Sequence, residues 1–244
     1  MARWKLTLAF DGSDFYGWQR QNDQRTAQNE LEKALSTFLN QPIEVSGQGR
    51  TDRGVHADEQ VAHVDLPENL KPEKLLSAMR GLLPPDIALN RAEPVDESFH
   101  SRFDAKSRVY RYQITGQPLP LMRFQTWFVA EELNRELLMR CAERVKGEHD
   151  FKNFAKIGQE ESGRNTRCRI MRSEWEFGSP ILTYRIEADR FLRHMVRRIV
   201  GSMVKAAAGS TSYEQFEQLM EETENDQKGF SAPSKGLILE RVLY

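Results

Sequence analysis

The segment Gly47–Ala57, with the sequence GQGRTDRGVHA, is the stretch around which the chain is organised. It holds three glycines, two arginines and one aspartate within eleven residues. Two apolar runs that predict strands, Ile43–Ser46 and Gln60–Leu66, flank it. Glycine permits tight bends, and a carboxylate with a guanidinium group on each side is unusual for an ordinary turn. The segment alone fits a charged surface turn and an active-site loop equally well.

The composition indicates a polar, folded protein with almost no net charge. Of its 244 residues, 39% are hydrophobic, and the 35 basic and 36 acidic residues nearly cancel. Nucleic-acid binding would therefore require a local basic patch. Cys141 and Cys168 form neither a disulfide framework nor a metal-binding pattern, so we expect a cytoplasmic protein. We expect no signal peptide, and no apolar run approaches the ~20 residues that span a bilayer.

The hydrophobic periodicity predicts an α+β protein with two similarly ordered halves. In residues 1–104 the order is strand, helix, strand, strand, helix, strand, which is typical of a ferredoxin-like (RRM-like) unit. Residues 105–244 repeat this order with one added helix. We therefore expect two ferredoxin-like halves that share a mainly antiparallel sheet, with an active-site cleft between them. The other predicted elements are strands Trp4–Phe10, Ile87–Val95, Ser107–Thr115, Arg169–Phe177, Ile181–Asp189 and Leu237–Leu243, helices Ala27–Phe38, Pro72–Leu83, Leu137–Val145, Phe191–Ala207 and Tyr213–Glu222, and a long loop, Lys146–Thr166.

Asp52 is the first candidate for catalysis. Positive charge on Arg50 and Arg53 favours its ionised form, which suits a nucleophile or a base. The same arginines would attract a phosphodiester backbone. An ion-paired surface aspartate explains the pattern as well. His56, four residues later, fits either proton transfer or, more simply, a structural hydrogen bond.

Two further segments carry candidates. Tyr110 and Tyr112 share a face of one predicted strand; we expect Tyr112 in the core, whereas Tyr110 beside Arg108 suits stacking on an unpaired base. Arg193 and Arg197 would be neighbours in the first turns of a helix, on a solvated face or at a cleft where Arg197 meets a carboxylate. Basic residues also gather in loops near aromatic residues, a pattern that fits RNA: Arg20, Arg25, Arg50, Arg53, Arg102, Arg164, Arg167 and Arg169.

The sequence has no P-loop, dinucleotide-binding, serine-hydrolase or zinc pattern. This argues against an enzyme driven by a nucleotide, a dinucleotide or a zinc ion. A magnesium-dependent nuclease needs only a few carboxylates, so that function stays open at this point. A non-catalytic RNA-binding protein with two RRM-like halves stays open as well.

Four motifs resemble those of the TruA family of tRNA pseudouridine synthases. They follow the family's order across essentially the whole chain. Small departures occur at Arg53, Arg193 and Ser234, none of which is a position that the family uses for the reaction itself. The motifs are Gly49–Ala57; Phe99–Phe103 with Arg108–Tyr112; Phe191–Arg197; and Ala232–Leu239.

The resemblance implies the pseudouridine synthase fold and a homodimeric isomerase that converts uridines 38, 39 and 40 of the tRNA anticodon stem-loop without a cofactor or metal. Asp52 matches the family's nucleophile or base, and both roles stay open. Tyr110 matches the tyrosine that stacks on the target base and assists proton transfer, and Arg197 matches the arginine that pairs with the aspartate. Arg50 matches the arginine that holds the target nucleotide out of the stem. The remaining substrate-binding candidates are Arg20, Arg53, His56, Arg102 and Arg193.

Overall fold

A computed structural model describes residues 1–156, 165–221 and 227–244, and the chain divides into two compact units. The first unit contains Met1–Lys106 and Ile238–Tyr244, and the second contains Ser107–Leu237. Helices and strands occur in both units, and within each unit most strand pairs are antiparallel. The predicted α+β class is therefore confirmed. The two halves 1–104 and 105–244 stay a prediction, and residues 157–164 and 222 of the predicted elements lie outside the described residues.

The first unit has the strand order of a ferredoxin-like unit with one added strand. The elements are β1 (Ala2–Phe10), α1 (Ala27–Leu39), β2 (Ser46–Gly47), β3 (His56–Leu66), α2 (Pro72–Leu82), β4 (Ile87–Pro94) and β10 (Leu237–Leu243). Strands β4, β1, β3 and β2 are antiparallel neighbours in that order, and β10 pairs with β3 in parallel.

Local sequence explains the elements of the first unit. In β1 the apolar residues at alternate positions, among them Trp4, Leu6 and Leu8, are buried. Helix α1 begins where the Thr26 side chain accepts a hydrogen bond from the backbone N–H of Asn29. Helix α2 begins with Pro72 in its first turn, where a missing N–H costs no hydrogen bond.

The predicted strand Ile43–Ser46 is wrong, because only Ser46–Gly47 pairs as a strand. The apolar side chains of Ile43 and Val45 are buried, as the pattern suggested. Their backbone N–H groups, however, donate to side chains of α1. Ile43 N donates to Ser36 Oγ at 2.9 Å, and Val45 N donates to Glu32 Oε1 at 3.0 Å. The segment is therefore held by a helix instead of a strand ladder.

The second unit uses similar elements, and its first, third and second long strands are neighbours in the same order as β1, β3 and β2 of the first unit, with one short strand added beside the second. The elements are β5 (Ser107–Thr115), β6 (Trp127–Phe128), α3 (Arg135–Val145), β7 (Gly147–Asp150), β8 (Arg167–Phe177), β9 (Ile181–Ala188), α4 (Met195–Ala207) and α5 (Tyr213–Glu221). Strands β5, β9, β8 and β7 are successive antiparallel neighbours, and β6 pairs with β5 in parallel. Helix α3 packs against α4 and β8, and α5 contacts α3 and α4.

Two predictions for the second unit need correction. The predicted loop Lys146–Thr166 contains β7, which pairs with β8, and a short 3₁₀ helix at Lys152–Phe154. Helix α4 begins at Met195 instead of Phe191. His194 has a φ of 65°, which a right-handed helix does not contain. Its carbonyl accepts the first helical hydrogen bond, from Arg198 N, at 3.0 Å.

None of the helices in the described residues is long and apolar enough to cross a membrane.

The N-cap of α1 gives a stability prediction. Thr26→Ala leaves the Asn29 N–H without its capping oxygen, so we expect a loss of about 0.5–2 kcal/mol in the free energy of unfolding. The measurement is urea or thermal unfolding followed by circular dichroism. Thr37→Ala is the matched control, since Thr37 is exposed in the same helix and bonds only to the carbonyl of Lys33. Equal stability of the Thr26 and Thr37 variants would contradict the capping role.

Candidate active site

Asp52 lies on the loop that joins β2 to β3, and its side chain is half-buried. Residues 52–55 form a tight turn in which Val55 N donates to the carbonyl of Asp52 at 3.2 Å. Gly54, at the tip of this turn, has a φ of 76°, a conformation that favours glycine. The carboxylate is thus carried on a short, sharply bent segment that its own backbone closes.

The segment Gly12–Trp18 holds the outer side of this loop by backbone contacts. Gly17 has a φ of 92°, and a Cβ atom there would stand 2.3 Å from the carbonyl oxygen of Thr51. Trp18 N donates to the same oxygen at 3.4 Å, and Gly54 N donates to the carbonyl of Phe15 at 3.2 Å. The residues on both sides of Asp52 are therefore fixed by a second loop.

Two buried glutamines hold the start of the loop. Gln48 N donates to the carbonyl of Val61 at 2.8 Å, and the Gln48 side chain donates to Gln60 Oε1 at 3.1 Å. Gln60 Nε2 in turn donates to the carbonyl of Gly49 at 3.2 Å. Buried amides that satisfy one another in this way keep the loop in one conformation.

His56 lies at the end of the loop, where β3 begins, and is almost fully buried. Its Nδ1 accepts the N–H of Gly12 at 3.0 Å and also lies 3.0 Å from Asp11 Oδ1. Burial raises the pKa of Asp11, but hydrogen bonds from Ser13, together with His56, bring this pKa below its ordinary value. Through these contacts His56 attaches the end of the loop to the residues that follow β1.

The four candidate arginines of the first unit differ in their surroundings. Arg50 is exposed on the Asp52 loop. Arg53, also exposed, lies over the ring of Tyr16 at 4.1 Å, which is a cation–π contact. Arg102 is exposed beside Phe103.

Arg20 is largely committed to ion pairs within the first unit. Its guanidinium lies 3.2 Å from Glu32 Oε2 and 3.4 Å from Glu44 Oε1. Glu32 is buried, so breaking this contact would leave a buried charge with one partner fewer. The geometry favours a structural role for Arg20.

In the second unit, Tyr110 lies on β5 opposite Ile186 of β9. Its ring is mostly buried and meets the ring of Phe191 edge-on, with 5.1 Å between centroids. Tyr112 is fully buried, and its hydroxyl donates to the carbonyl of Pro233 at 2.7 Å. Burial raises the pKa of Tyr112, and Arg197 lowers it to a smaller extent. The expected core role of Tyr112 is confirmed.

Arg197 is fixed in the first turn of α4 by the segment that contains the fourth motif. Its Nε donates to the carbonyl of Ala232 at 2.8 Å, and Ala232 N donates to the Arg197 carbonyl at 3.0 Å. Arg193 is exposed and precedes the helix, where its carbonyl accepts from Lys156 N at 2.9 Å. The expected helical i,i+4 relation of Arg193 to Arg197 is therefore wrong, although both arginines lie close in sequence to one helix start.

The first unit thus places a half-buried carboxylate and two exposed guanidinium groups on one braced loop. Such a loop can present a nucleophile or base to an anionic ligand. The second unit fixes an aromatic ring and a guanidinium by neighbouring segments. No group of three or more His, Cys, Asp or Glu side chains that could hold a metal ion occurs in the described ranges.

Sequence reasoning missed the residues that brace the Asp52 loop. The glycines among them, Gly12 and Gly17, act through backbone atoms and close approach, and such contacts leave no charge pattern. A Cβ atom on Gly12 would stand 2.0 Å from the carbonyl oxygen of Val55. The signal available beforehand was the glycine inside the aromatic loop Phe15–Gln19.

The sequence of this chain is similar to those of known proteins. The tRNA pseudouridine synthase family matches residues 7–104 and 141–244. A tRNA pseudouridine synthase A from Dictyoglomus turgidum is 41% identical over the full length of both chains, and one from Aquifex aeolicus is 38% identical, also over the full length of both. One from Porphyromonas gingivalis is 39% identical over all of this chain and 98% of its own.

The family match includes residues of both units and every motif segment except Arg108–Tyr112, and the relatives match over the full length of this chain. The chain therefore belongs to the tRNA pseudouridine synthase family, has the α+β fold of that family, and is an enzyme of the isomerase class.

Proposed function

We propose that the protein isomerises uridines 38, 39 and 40 of the tRNA anticodon stem-loop to pseudouridine, with Asp52 as the nucleophile or base. The observation that carries this proposal is the braced loop. Asp52 stands in the family motif, and Gly17, Trp18 and Gly54 hold the backbone on both sides of it. An isomerisation requires no energy source, so the protein needs no nucleotide site. It needs a carboxylate that is held in position beside the target uridine.

The chemistry accounts for the proposed roles. The bond from uridine N1 to the ribose C1′ breaks and a bond from C5 to C1′ forms, while C5 loses a proton and N1 gains one. A base inside a helical stack is inaccessible, so the target nucleotide must first leave the stem. Arg50 holds the displaced nucleotide, and Tyr110 stacks on its base and assists proton transfer. Arg197 supplies the positive charge that, in the family pattern, pairs with the aspartate.

The other assignments follow the same reasoning. Arg53, Arg102 and Arg193 are exposed cations suited to tRNA phosphates. Arg20 and His56 make mainly structural contacts, and we assign them indirect support of the substrate site.

We further propose a cytoplasmic homodimer, and light scattering of the purified protein measures its mass directly. The free, buried Cys141 and Cys168 fit a reducing compartment.

The first prediction concerns Asp52. In tRNA with tritium at uridine C5, the wild type releases tritium, because C5 exchanges its proton for the bond to C1′. Asp52→Asn should lower the rate of release by at least about a thousandfold, as loss of a nucleophile does elsewhere.

Asp58→Asn is the matched control, since Asp58 is an exposed aspartate on β3. It should release tritium at the wild-type rate. Full activity of Asp52→Asn would exclude its catalytic role. If the wild-type protein binds tRNA but releases no tritium, it is a non-catalytic RNA-binding protein. If it cleaves the tRNA and EDTA suppresses the cleavage, it is a nuclease.

The second prediction separates the ring of Tyr110 from its hydroxyl. Tyr110→Phe keeps the ring, so it should lose only the steps that need the hydroxyl. Tyr110→Leu fills much of the same volume without an aromatic face, and it should also weaken tRNA binding. Single-turnover tritium release at several tRNA concentrations separates these effects. Leu and Phe variants with the same apparent affinity would rule out stacking.

The third prediction concerns the close contact between Gly17 and the backbone of Thr51. Gly17→Ala places a Cβ against the backbone of Thr51, so the loop must shift and tritium release should fall by about tenfold or more. Gly81→Ala is the control, because in the described part of the chain no atom outside the adjoining helix backbone lies within 4 Å of that Cβ, and a helix tolerates alanine. Wild-type activity of Gly17→Ala would show that the position of Asp52 does not depend on this contact.

A further inference from the structure

A turn in the first unit, residues 99–104, places an aromatic ring at the surface. Phe103 is 74% exposed. Its ring centroid lies 4.3 Å from that of His100, and the guanidinium of Arg102 lies 5.8 Å from it. Single exposed apolar residues are common, so exposure alone assigns no role to Phe103. Phe103 differs from a single exposed residue in that an imidazole and a guanidinium group adjoin its ring.

The turn is closed by its own hydrogen bonds. His100 N donates to Asp104 Oδ2 at 2.8 Å, and Asp104 N donates to the carbonyl of His100 at 3.1 Å. Arg102 N donates to His100 Nδ1 at 3.2 Å. Phe103 is therefore presented by an ordered turn, and a ligand that contacts it loses little free energy to ordering the backbone.

Buried contacts attach this turn to the strand that leads into the Asp52 loop. Ser101 is fully buried, and its Oγ donates to the carbonyl of Ser46 in β2 at 2.8 Å. Ser101 N donates to His63 Nδ1 at 3.2 Å. Burial lowers the pKa of His63 to about 4, so its ring is neutral near pH 7 and can accept this bond. Tyr244 donates to the Ser101 carbonyl at 2.7 Å.

We propose that Phe103 is a stacking residue for a nucleobase of the bound tRNA, and that Arg102 contacts the adjacent phosphate. This inference rests on the proposed function, because it takes tRNA as the ligand. Aromatic side chains bind unpaired bases of any identity through their π faces. A cation next to the ring complements the charge of the backbone that connects those bases.

The first test distinguishes an aromatic face from mere apolar bulk. Phe103→Leu and Phe103→Ala should raise the KM for tRNA in tritium release by about 5- to 150-fold, the range expected for loss of one stacked base. The kcat and the midpoint of thermal unfolding should stay at wild-type values. Phe103→Tyr should restore the KM. Leu121→Ala, at a position that is 97% exposed, should leave it unchanged. A wild-type KM for Phe103→Leu overturns the proposal.

The second test measures binding without catalysis. In the Asp52→Asn background, Phe103→Trp provides a fluorescent indole whose emission should be quenched by saturating tRNA. Phe124→Trp is the control, because Phe124 is a half-exposed phenylalanine with Arg123 over its ring at 4.1 Å. Quenching should be at least about twofold greater at position 103, as expected of direct stacking. Equal quenching at both positions overturns the proposal.

The two proposals fail in different ways. Quenching at position 103 with no tritium release by the wild type would remove the isomerase reaction and keep the stacking contact. Normal tritium release with an unchanged KM in Phe103→Leu would keep the reaction and remove the stacking contact.

Discussion

The close approach of two backbone segments, Gly12–Trp18 and Thr51–Val55, is the constraint on which the site in the first unit depends. A Cβ atom on Gly12 or Gly17 would stand 2.0 Å or 2.3 Å from a carbonyl oxygen of the other segment. Only glycine fits at this distance. The approach lets N–H groups of one loop reach carbonyls of the other, so the Asp52 loop needs no regular structure of its own.

The sheet sets where this loop ends. Ala57 is paired with Phe10 of β1 and with Leu239 of β10, so the chain is held as soon as it leaves the loop. The register between β1 and β3 shifts between Leu8 and Phe10, and such a bulge turns the strand locally. His56 adds a side-chain contact to Gly12 at the same place. One end of the loop is thus fixed by strand pairing and the other by the buried glutamines.

Local patterns were enough to predict most elements, because alternation and helical periodicity are properties of neighbouring residues. They failed where a distant side chain competed for the backbone. Glu32 of α1 accepts the N–H of Val45 and prevents the strand that the apolar run suggests. The left-handed backbone of His194 delays the start of α4, although the apolar pattern of that helix reads continuously. The short strands β6 and β7 likewise depend on tertiary pairing, which periodicity does not encode.

In the candidate site, too, the sequence predicts the residues proposed for the reaction better than it predicts the contacts that hold them in place. Charge and motif position are the basis for proposing Asp52 and Arg50 as site residues, whereas the number of basic residues alone would suggest more ligand-binding cations than the ion pairs allow. Arg20 pairs with Glu32 and Glu44, and Arg25 pairs with Asp86, so those cations hold the first unit together. A net charge of −1 leaves little excess of positive charge to distribute. We therefore expect binding of a polyanion to depend on a few exposed guanidinium groups and on the proposed stacking contacts, and salt weakens stacking less than it weakens charge–charge attraction.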